Sequence, residues 1–259
     1  MPFAPLGGHS VYYTEHVRGP AERPPLMLVH GSGGTLLHWP PELRRLDNAA
    51  VYALDLPGHG QSGGAANSSV IEKAEAVLAV LADARRERAV IGGHSLGSAI
   101  ALTLALTRPD RVAGLVLVGA GAKLRVTPEI LDHALTDFPQ AVNSVIEYAF
   151  GSAAPGRLVE LARERMLETA PQVLLGDLAA CDAFDVRERL GEIHVPTLIL
   201  CGDEDRLTPP KYAQFLAERI PGAELKLIPR AGHMVMLEQP EAVTAAVAEF
   251  MQAAEGGRQ

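Results

Sequence analysis

Six short runs of apolar residues constrain the fold of this 259-residue chain more than any other feature of its sequence. The apolar part of each run is followed by glycine, histidine, aspartate or proline. The segments that contain the runs are PLMLVHG, VYALDLPG, RAVIGGHS, VAGLVLVGA, PTLILCGD and ELKLIPRAGH. Apolarity that is continuous rather than alternating is typical of strands buried on both faces, as in a parallel sheet. An earlier segment, SVYYTEHV, alternates weakly and predicts an antiparallel strand at the edge of that sheet.

Helical patterns fill the intervals between several of these runs. The segment SSVIEKAEAVLAVLADARRE repeats apolar residues every three or four positions, which predicts an amphipathic helix. Ser68 or Ser69 is placed to cap its start, and Glu72 to complete a capping box. LGSAIALTLALTRPD predicts a buried helix that ends before Pro109, and PEAVTAAVAEFMQAA predicts a closing helix. Strands that alternate with helices predict an α/β fold with a doubly wound, mostly parallel sheet.

One region breaks this alternation. Between Ala122 and Leu190 the sequence contains no convincing strand, and its helical patterns fall near Pro128–Phe138, Ala141–Phe150, Pro155–Thr169 and Gln172–Ala180. A helical segment of this length between two buried strands predicts a cap inserted over the carboxyl edge of the sheet. We therefore expect a core of residues 1–121 and 191–259 and a helical cap of residues 122–190.

Composition narrows the class of protein. The chain has 23 Lys and Arg against 31 Asp and Glu, a formal net charge of −8, and no basic tract, which disfavours a nucleic-acid partner. Its start, MPFAPLGGHS, does not resemble a secretory signal, and no segment has the roughly 18 apolar residues of a membrane helix. Two cysteines, Cys181 and Cys201, predict a reducing, cytoplasmic location. We expect a small-molecule substrate and no nucleic-acid or membrane partner; the oligomeric state stays open.

A serine follows the third apolar run under unusual local conditions. The segment GHSLG, from Gly93 to Gly97, comes directly after AVIG and directly before the predicted buried helix. A glycine two positions to either side would relieve clashes if the chain turned sharply at Ser95 and pushed its hydroxyl outward. The start of a helix also favours developing negative charge. Ser95 is therefore a candidate nucleophile.

A serine hydroxyl needs a base, and the base needs a group that orients it. Ligands of an open parallel sheet bind beyond the carboxyl ends of the strands, so the residues that follow each run are the candidates. Asp205 follows PTLILCGD, and His233 follows ELKLIPRAG. We expect the folded sheet to bring Ser95, Asp205 and His233 together.

Five motifs in this order resemble those of the α/β-hydrolase superfamily, and in particular its serine esterase-like branch with a helical cap. They are HGSGG at 30–34, LDLPGHGQS at 54–62, GHSLG at 93–97, GDEDRLTP at 202–209 and AGHMVMLEQP at 231–240. The resemblance spans essentially the whole chain. It implies Ser95 as nucleophile, His233 as general base and Asp205 as the acid, in the chain order of that superfamily. The superfamily spacing selects Asp205 over the nearby Asp203.

The same resemblance implies the remaining parts of the site. The backbone N–H groups of Ser32 and Leu96 would form the oxyanion hole, with Gly33 as the adjacent alternative. Ser98 stands where many relatives have glycine, from which we expect tighter packing. Gly33, His94 and Trp39 are expected to contact the substrate.

The implied roles of the other histidines and of the cap residues are less specific. His30 and His59 are expected to structure loops rather than to react. Some apolar cap residues should line the pocket, but the sequence does not say which; the candidates are Leu124, Phe138, Tyr148, Phe150, Met166 and Phe184.

The resulting hypothesis is a serine hydrolase that cleaves a small to medium carboxylic ester through an acyl-enzyme, with no metal or organic cofactor. An alternative keeps these three residues but makes the protein a carbon–carbon bond hydrolase, a lactonase or a lyase. Ring-fission enzymes of this layout supply an arginine near the nucleophile, and the cap arginines match no such motif; they are Arg125, Arg157, Arg163 and Arg165. A further alternative is a ligand-sensing binding protein. A serine at position 95 disfavours epoxide hydrolases and haloalkane dehalogenases, which use an aspartate there.

Overall fold

The computed structural model describes residues 2–20 and 23–256, and eight strands form one sheet through them. The strands are β1 Phe3–Leu6, β2 His9–Val17, β3 Leu26–Val29, β4 Ala50–Leu54, β5 Ala89–His94, β6 Val112–Val118, β7 Thr197–Gly202 and β8 Glu224–Ile228. Their spatial order is β1-β2-β4-β3-β5-β6-β7-β8. Pairing is antiparallel for β1 with β2 and for β2 with β4, and parallel from β4 through β8. The predicted α/β fold with a mostly parallel sheet is confirmed.

The strands differ in burial according to their place in the sheet. All residues of β3 to β7 are buried, as their continuous apolarity predicts. The prediction of burial on both faces was wrong for β8, where Glu224 and Leu227 are exposed, because this strand lies at the edge of the sheet and carries the charged residues Glu224 and Lys226. The prediction of an edge position was also wrong for β2, because β1 pairs with its outer side.

Helices occupy both sides of the sheet and the interval between β6 and β7. They are α1 Pro41–Arg44, α2 Val70–Asp83, α3 Leu96–Thr107, α4 Pro128–Thr136, α5 Phe138–Ala149, α6 Gly156–Leu167, α7 Pro171–Ala183, α8 Pro210–Arg219, α9 Val235–Glu238 and α10 Pro240–Gly256. The predicted helices α2, α3 and α10 are confirmed, and α3 ends before Pro109. None of the helices among the described residues has the length and apolarity to cross a membrane.

The cap of α2 differs from the predicted capping box. The Ser69 hydroxyl accepts a hydrogen bond from the backbone N–H of Glu72, as predicted. The Glu72 carboxylate, however, accepts from the side-chain amide of Asn67, whose carbonyl oxygen accepts from the N–H of Ser69. Asn67 therefore takes the part expected of Glu72.

Four helices, α4 to α7, lie between β6 and β7, where the sequence predicts helices without strands. Among the described residues of this interval, one isolated antiparallel β-bridge pairs Lys123 with Asp185. Apolar residues of α4, α5, α6 and α7 pack with the sheet and with α10 in one buried cluster. The division of the chain into a core and a cap of residues 122–190 stays a prediction.

Candidate active site

The turn at Ser95 has the strained geometry that its flanking glycines suggest. Ser95 lies between the end of β5 and the start of α3 with φ 52° and ψ −113°, a region that non-glycine residues avoid. A Cβ atom on Gly93 would lie 2.1 Å from the carbonyl oxygen of Gly97, and one on Gly97 would lie 2.2 Å from that of Val29. Backbone atoms cannot move aside cheaply, so both positions require glycine.

Ser98 ties the first turn of α3 to the strand before it. Its buried hydroxyl donates a hydrogen bond to the carbonyl oxygen of Gly93 at 2.6 Å. A glycine at this position could not make that bond. The expected tighter packing thus takes the form of a hydrogen bond, which holds the strained turn from its C-terminal side.

His233 and Asp205 form a buried pair at the carboxyl edge of the sheet. The distance from His233 Nδ1 to Asp205 Oδ2 is 2.9 Å, and the two residues are 4% and 3% exposed. The backbone N–H groups of Leu207 and Thr208 donate to Asp205 Oδ1, and the Thr208 hydroxyl donates to Oδ2. The rival Asp203 is exposed. The geometry pairs Asp205, not Asp203, with the histidine.

The carboxylate of Asp205 is held in its charged form. Burial would raise its pKa, but the electrostatic interaction and hydrogen bond with His233 and the bonds from Thr208 outweigh that effect and place the pKa of Asp205 below its usual value. A charged carboxylate on Nδ1 fixes the ring with its proton on that nitrogen. The other nitrogen, Nε2, is then free to accept a proton.

His233 is also positioned from two other directions. The ring of His94 lies 4.7 Å from that of His233, and His94 Nε2 donates to the carbonyl oxygen of His233 at 3.1 Å. Burial and the neighbouring His233 keep the pKa of His94 well below its usual value, so His94 stays neutral. A Cβ atom on Gly119 would lie 3.0 Å from the His233 ring, so this glycine leaves room for it.

Ser95 and His233 line the same cavity. Among the residues that the structure describes, no hydrogen bond joins the Ser95 hydroxyl to the histidine ring. Such bonds are often long in unliganded enzymes and shorten when the substrate binds. The structure thus places Ser95 and His233 on one cavity and shows the histidine–aspartate half of the predicted arrangement as a formed hydrogen bond, with Asp205 buried behind the histidine.

The predicted oxyanion donors lie in two places, Ser32 in the loop after β3 and Leu96 at the start of α3. Within the described part of the chain, no acceptor is bonded to the N–H of Ser32 or of Leu96. The N–H of Gly33 donates instead to Asp177 Oδ2 at 2.9 Å. Gly33, the adjacent alternative, is therefore already engaged, and Ser32 remains the donor available from this loop.

Asp177 belongs to a buried polar cluster that the sequence analysis missed. From α7 it accepts hydrogen bonds from Lys73 Nζ at 2.7 Å and His59 Nε2 at 2.9 Å, in addition to Gly33. Asp177 and Lys73 are 0% and 1% exposed. Burial alone would raise the pKa of Asp177, but the interactions with His59 and Lys73 lower it to about 2. Two features of the sequence could have indicated this cluster: a lysine on the apolar face of α2 and an aspartate within the apolar stretch VLLGDLAA.

Asp55 and His30 organise the loops, as expected for His30. Asp55 accepts from the backbone N–H groups of Leu36 and Gln61. His30 Nε2 accepts from the N–H of Leu56, and its Nδ1 donates to the carbonyl oxygen of Gly31. Both nitrogens of the buried ring are used, so His30 has no nitrogen left for catalysis.

The cavity beside Ser95 has a volume of about 280 Å³ and mostly apolar walls. Of the cap residues proposed from sequence, those on its wall are Leu124, Tyr148, Phe150 and Met166. Phe138 and Phe184 pack elsewhere in the two buried clusters. His94 lines the cavity as expected, and Cys181, whose pKa burial raises to about 12, lies on its wall 3.5 Å from the Ser32 hydroxyl.

Two expected substrate contacts lie away from the cavity. Trp39 is fully buried among apolar residues such as Leu43, because the short 3₁₀ turn Leu36–His38 places His38 on the wall instead. Gly33 does not line the cavity either, since the space at its α-carbon is filled by Leu174 and Met166. The structure therefore corrects both assignments.

An eight-stranded sheet of this order, with a strained serine turn after β5, defines the α/β-hydrolase class of fold. The sequence model of the Alpha/beta hydrolase family matches residues 26–247, and the chain belongs to that family and is a hydrolase.

The relatives differ in the bond that their names specify. A solved thermophilic esterase is 37% identical with a TM-score of 0.85, covering 98% of this chain and 97% of its own. The putative carbamate hydrolase RutD of Azorhizobium caulinodans is 31% identical over 93% of this chain and 94% of its own. The enol-lactonase of Burkholderia xenovorans LB400 is 25% identical with a TM-score of 0.88, covering 97% of this chain and 100% of its own. Membership of the family therefore leaves the substrate open.

Proposed function

We propose that this hydrolase cleaves carboxylic esters of small to medium size by a serine mechanism. The observation that carries the proposal is the buried pair of His233 and Asp205, 2.9 Å apart, facing the cavity that also contains the strained Ser95. A histidine oriented by a charged carboxylate is the base that a serine nucleophile requires.

In this mechanism the ester carbonyl lies between the Ser95 hydroxyl and the free N–H groups of Ser32 and Leu96. His233 Nε2 accepts the hydroxyl proton as the serine oxygen attacks, and the two N–H groups stabilise the oxyanion. The protonated histidine then gives its proton to the departing alcohol, and an acyl-enzyme forms. Water, deprotonated by the same histidine, releases the acid and restores the serine.

The dimensions of the cavity support a substrate of modest size. Its 280 Å³ lies just below the lower end of the roughly 300–1,000 Å³ usual for ligand pockets. Its apolar walls suit a hydrocarbon chain better than a sugar or a peptide. The similarity to a thermophilic esterase supports the ester bond as the reacting group.

The test is hydrolysis of p-nitrophenyl esters together with covalent labelling by a fluorophosphonate. The purified protein should hydrolyse short acyl esters, and Ser95→Ala should lose turnover by at least about a thousandfold together with all labelling. Ser68→Ala, an exposed serine before α2, is the matched control and should keep both turnover and the label. Turnover that is unchanged in Ser95→Ala would refute the serine mechanism.

Lactones are a second candidate, favoured by the similarity to an enol-lactonase. A lactone is a cyclic ester, so the same attack and release apply, but the alcohol stays attached to the acid. A panel of lactones tested beside the linear esters distinguishes the two substrates. Both activities should vanish together in Ser95→Ala.

A further inference from the structure

A second groove lies beside the cavity that contains Ser95, and its lining is strongly basic. It has a volume of about 460 Å³ and is lined by Ala122, Lys123, Arg125, Arg187, Lys211, Tyr212 and Phe215. Four of these residues are cations and none is acidic. This concentration of positive charge stands out in a protein whose formal net charge is −8.

Carboxylates near the groove offset part of that charge. Asp185 lies 3.0 Å from Lys123 Nζ and 2.7 Å from a terminal nitrogen of Arg187. Glu188 also interacts electrostatically with Arg187, and Asp182 accepts a hydrogen bond from the N–H of Val126, next to Arg125. The lining itself carries four cations and no carboxylate. The field there favours an anionic ligand.

Arg125 connects this groove to the reaction site. It lines the basic groove and also the cavity that contains Ser95. Its side chain is exposed and, among the residues that the structure describes, it has no ion pair or hydrogen bond. The guanidinium is therefore available to a ligand.

The other cation of the Ser95 cavity is engaged. Arg206 donates a hydrogen bond to the carbonyl oxygen of Glu147, and its guanidinium lies 5.0 Å above the ring of Tyr148. Its contacts hold it to the end of α5. Of the two arginines, Arg125 is the one that can turn toward a substrate.

We propose that the natural substrate carries an anionic group, a carboxylate or a phosphate, at the end remote from the bond that is cleaved, and that Arg125 binds this group. The inference rests on the proposed function, because it assigns the substrate class of the same site. Guanidinium pairs with carboxylate or phosphate through two parallel hydrogen bonds. Lys123, Arg187 and Lys211 supply the surrounding field, while the apolar wall contacts the chain between the two ends.

The experiment compares two p-nitrophenyl esters of equal chain length. One is the monoester of suberate, which carries a distal carboxylate, and the other is the octanoate ester, which does not. Monoesters of shorter and longer diacids, from succinate to sebacate, measure the distance between the anion and the reacting carbonyl. The proteins are the wild type, Arg125→Gln and the control Arg157→Gln, an exposed cap arginine that lines neither cavity.

Arg125→Gln should raise the KM of the suberate ester at least about tenfold, as expected for a charged hydrogen bond, and leave the octanoate ester within about twofold. Arg157→Gln should change neither. Raising the ionic strength from about 0.05 to about 0.5 M should raise the KM of the suberate ester only. Equal effects of Arg125→Gln on both esters, or no effect on either, would overturn the proposal.

A binding measurement separates this inference from the proposed function. If no ester is hydrolysed, the proposed function fails, and the anion site is still tested by calorimetry with Ser95→Ala. Monomethyl suberate should bind more tightly than methyl octanoate, which has no free carboxylate, and the added Arg125→Gln change should abolish that difference; equal binding of the two esters would contradict the proposal. An 8-phosphonooctanoate arm shows whether phosphate or carboxylate is preferred.

Discussion

The buried pair of Lys73 and Asp177 gives the sharpest prediction about the stability of this protein. Lys73→Met replaces the lysine with an apolar side chain of similar length. Asp177 is then left buried with a negative charge and, among the described residues, with the hydrogen bonds from His59 and Gly33 alone. Because Lys73 and Asp177 are 1% and 0% exposed, water cannot replace the missing cation.

Removing one partner of a buried ion pair costs about 3–5 kcal/mol. The contact of 2.7 Å and the nearly complete burial place this pair within that class. For a chain of this size, 1 kcal/mol shifts Tm by about 2–4 °C, so Lys73→Met should lower Tm by roughly 6–20 °C. The matched control is Arg165→Gln, which breaks an exposed pair with Glu168 and should leave Tm unchanged.

The double change Lys73→Met with Asp177→Asn removes both charges and keeps an acceptor for Gly33. It should be less destabilising than Lys73→Met alone, because no uncompensated charge remains. Urea unfolding followed by circular dichroism gives the free energies, and calorimetry gives Tm. A Lys73→Met protein within about 1 kcal/mol of the wild type, or a double variant that is simply additive, would refute this reasoning.

Two further predictions concern the strained turn and the response to acid. Gly97→Ala places a Cβ atom 2.2 Å from the carbonyl oxygen of Val29 and should destabilise the fold by about 3 kcal/mol or more. Gly156→Ala, where nothing lies within 4 Å, is the control and should be neutral or mildly stabilising. Similar urea midpoints for the two variants would contradict the steric argument. The pKa of Asp177 is lowered from 3.8 to about 2, which adds about 2 kcal/mol to the free energy of unfolding above pH 4. This contribution is lost as the pH falls toward 2, because the carboxyl group binds its proton more readily in the unfolded chain than in the folded protein. Urea unfolding between pH 2 and 6 should therefore show a smaller acid-dependent loss in Asp177→Asn; an identical loss would exclude this contribution.

The sequence by itself determined the order of elements and the positions of the three predicted catalytic residues. Short continuous apolar runs bounded by glycine or proline favour strands buried on both faces of a sheet, and the helical periods between them favour an alternating α/β fold. Ser95, Asp205 and His233 each follow such a run. Because parallel strands place their carboxyl ends at one edge, the pattern alone predicted that these residues would meet there.

Burial at the margins of the fold was not determined in the same way. The strand β8, ELKLI, carries two charged residues and lies at the edge of the sheet, where Leu227 is exposed. Trp39 was expected at the substrate and lies in the core, because the turn before it presents His38 to the cavity. Local sequence does not state which side of a loop faces the ligand.

Only the tertiary structure decided the contacts between residues far apart in the chain. Asp177 and Lys73 are separated by 104 positions, and neither belongs to a recognisable motif, so their pairing depends on how the fold places α7 relative to α2. The same packing engages the N–H of Gly33 and leaves that of Ser32 free. Periodicity along a chain determines which face of an element is apolar. The partner of a buried charge is determined by tertiary packing, because the loss of hydration makes every unpaired buried charge costly.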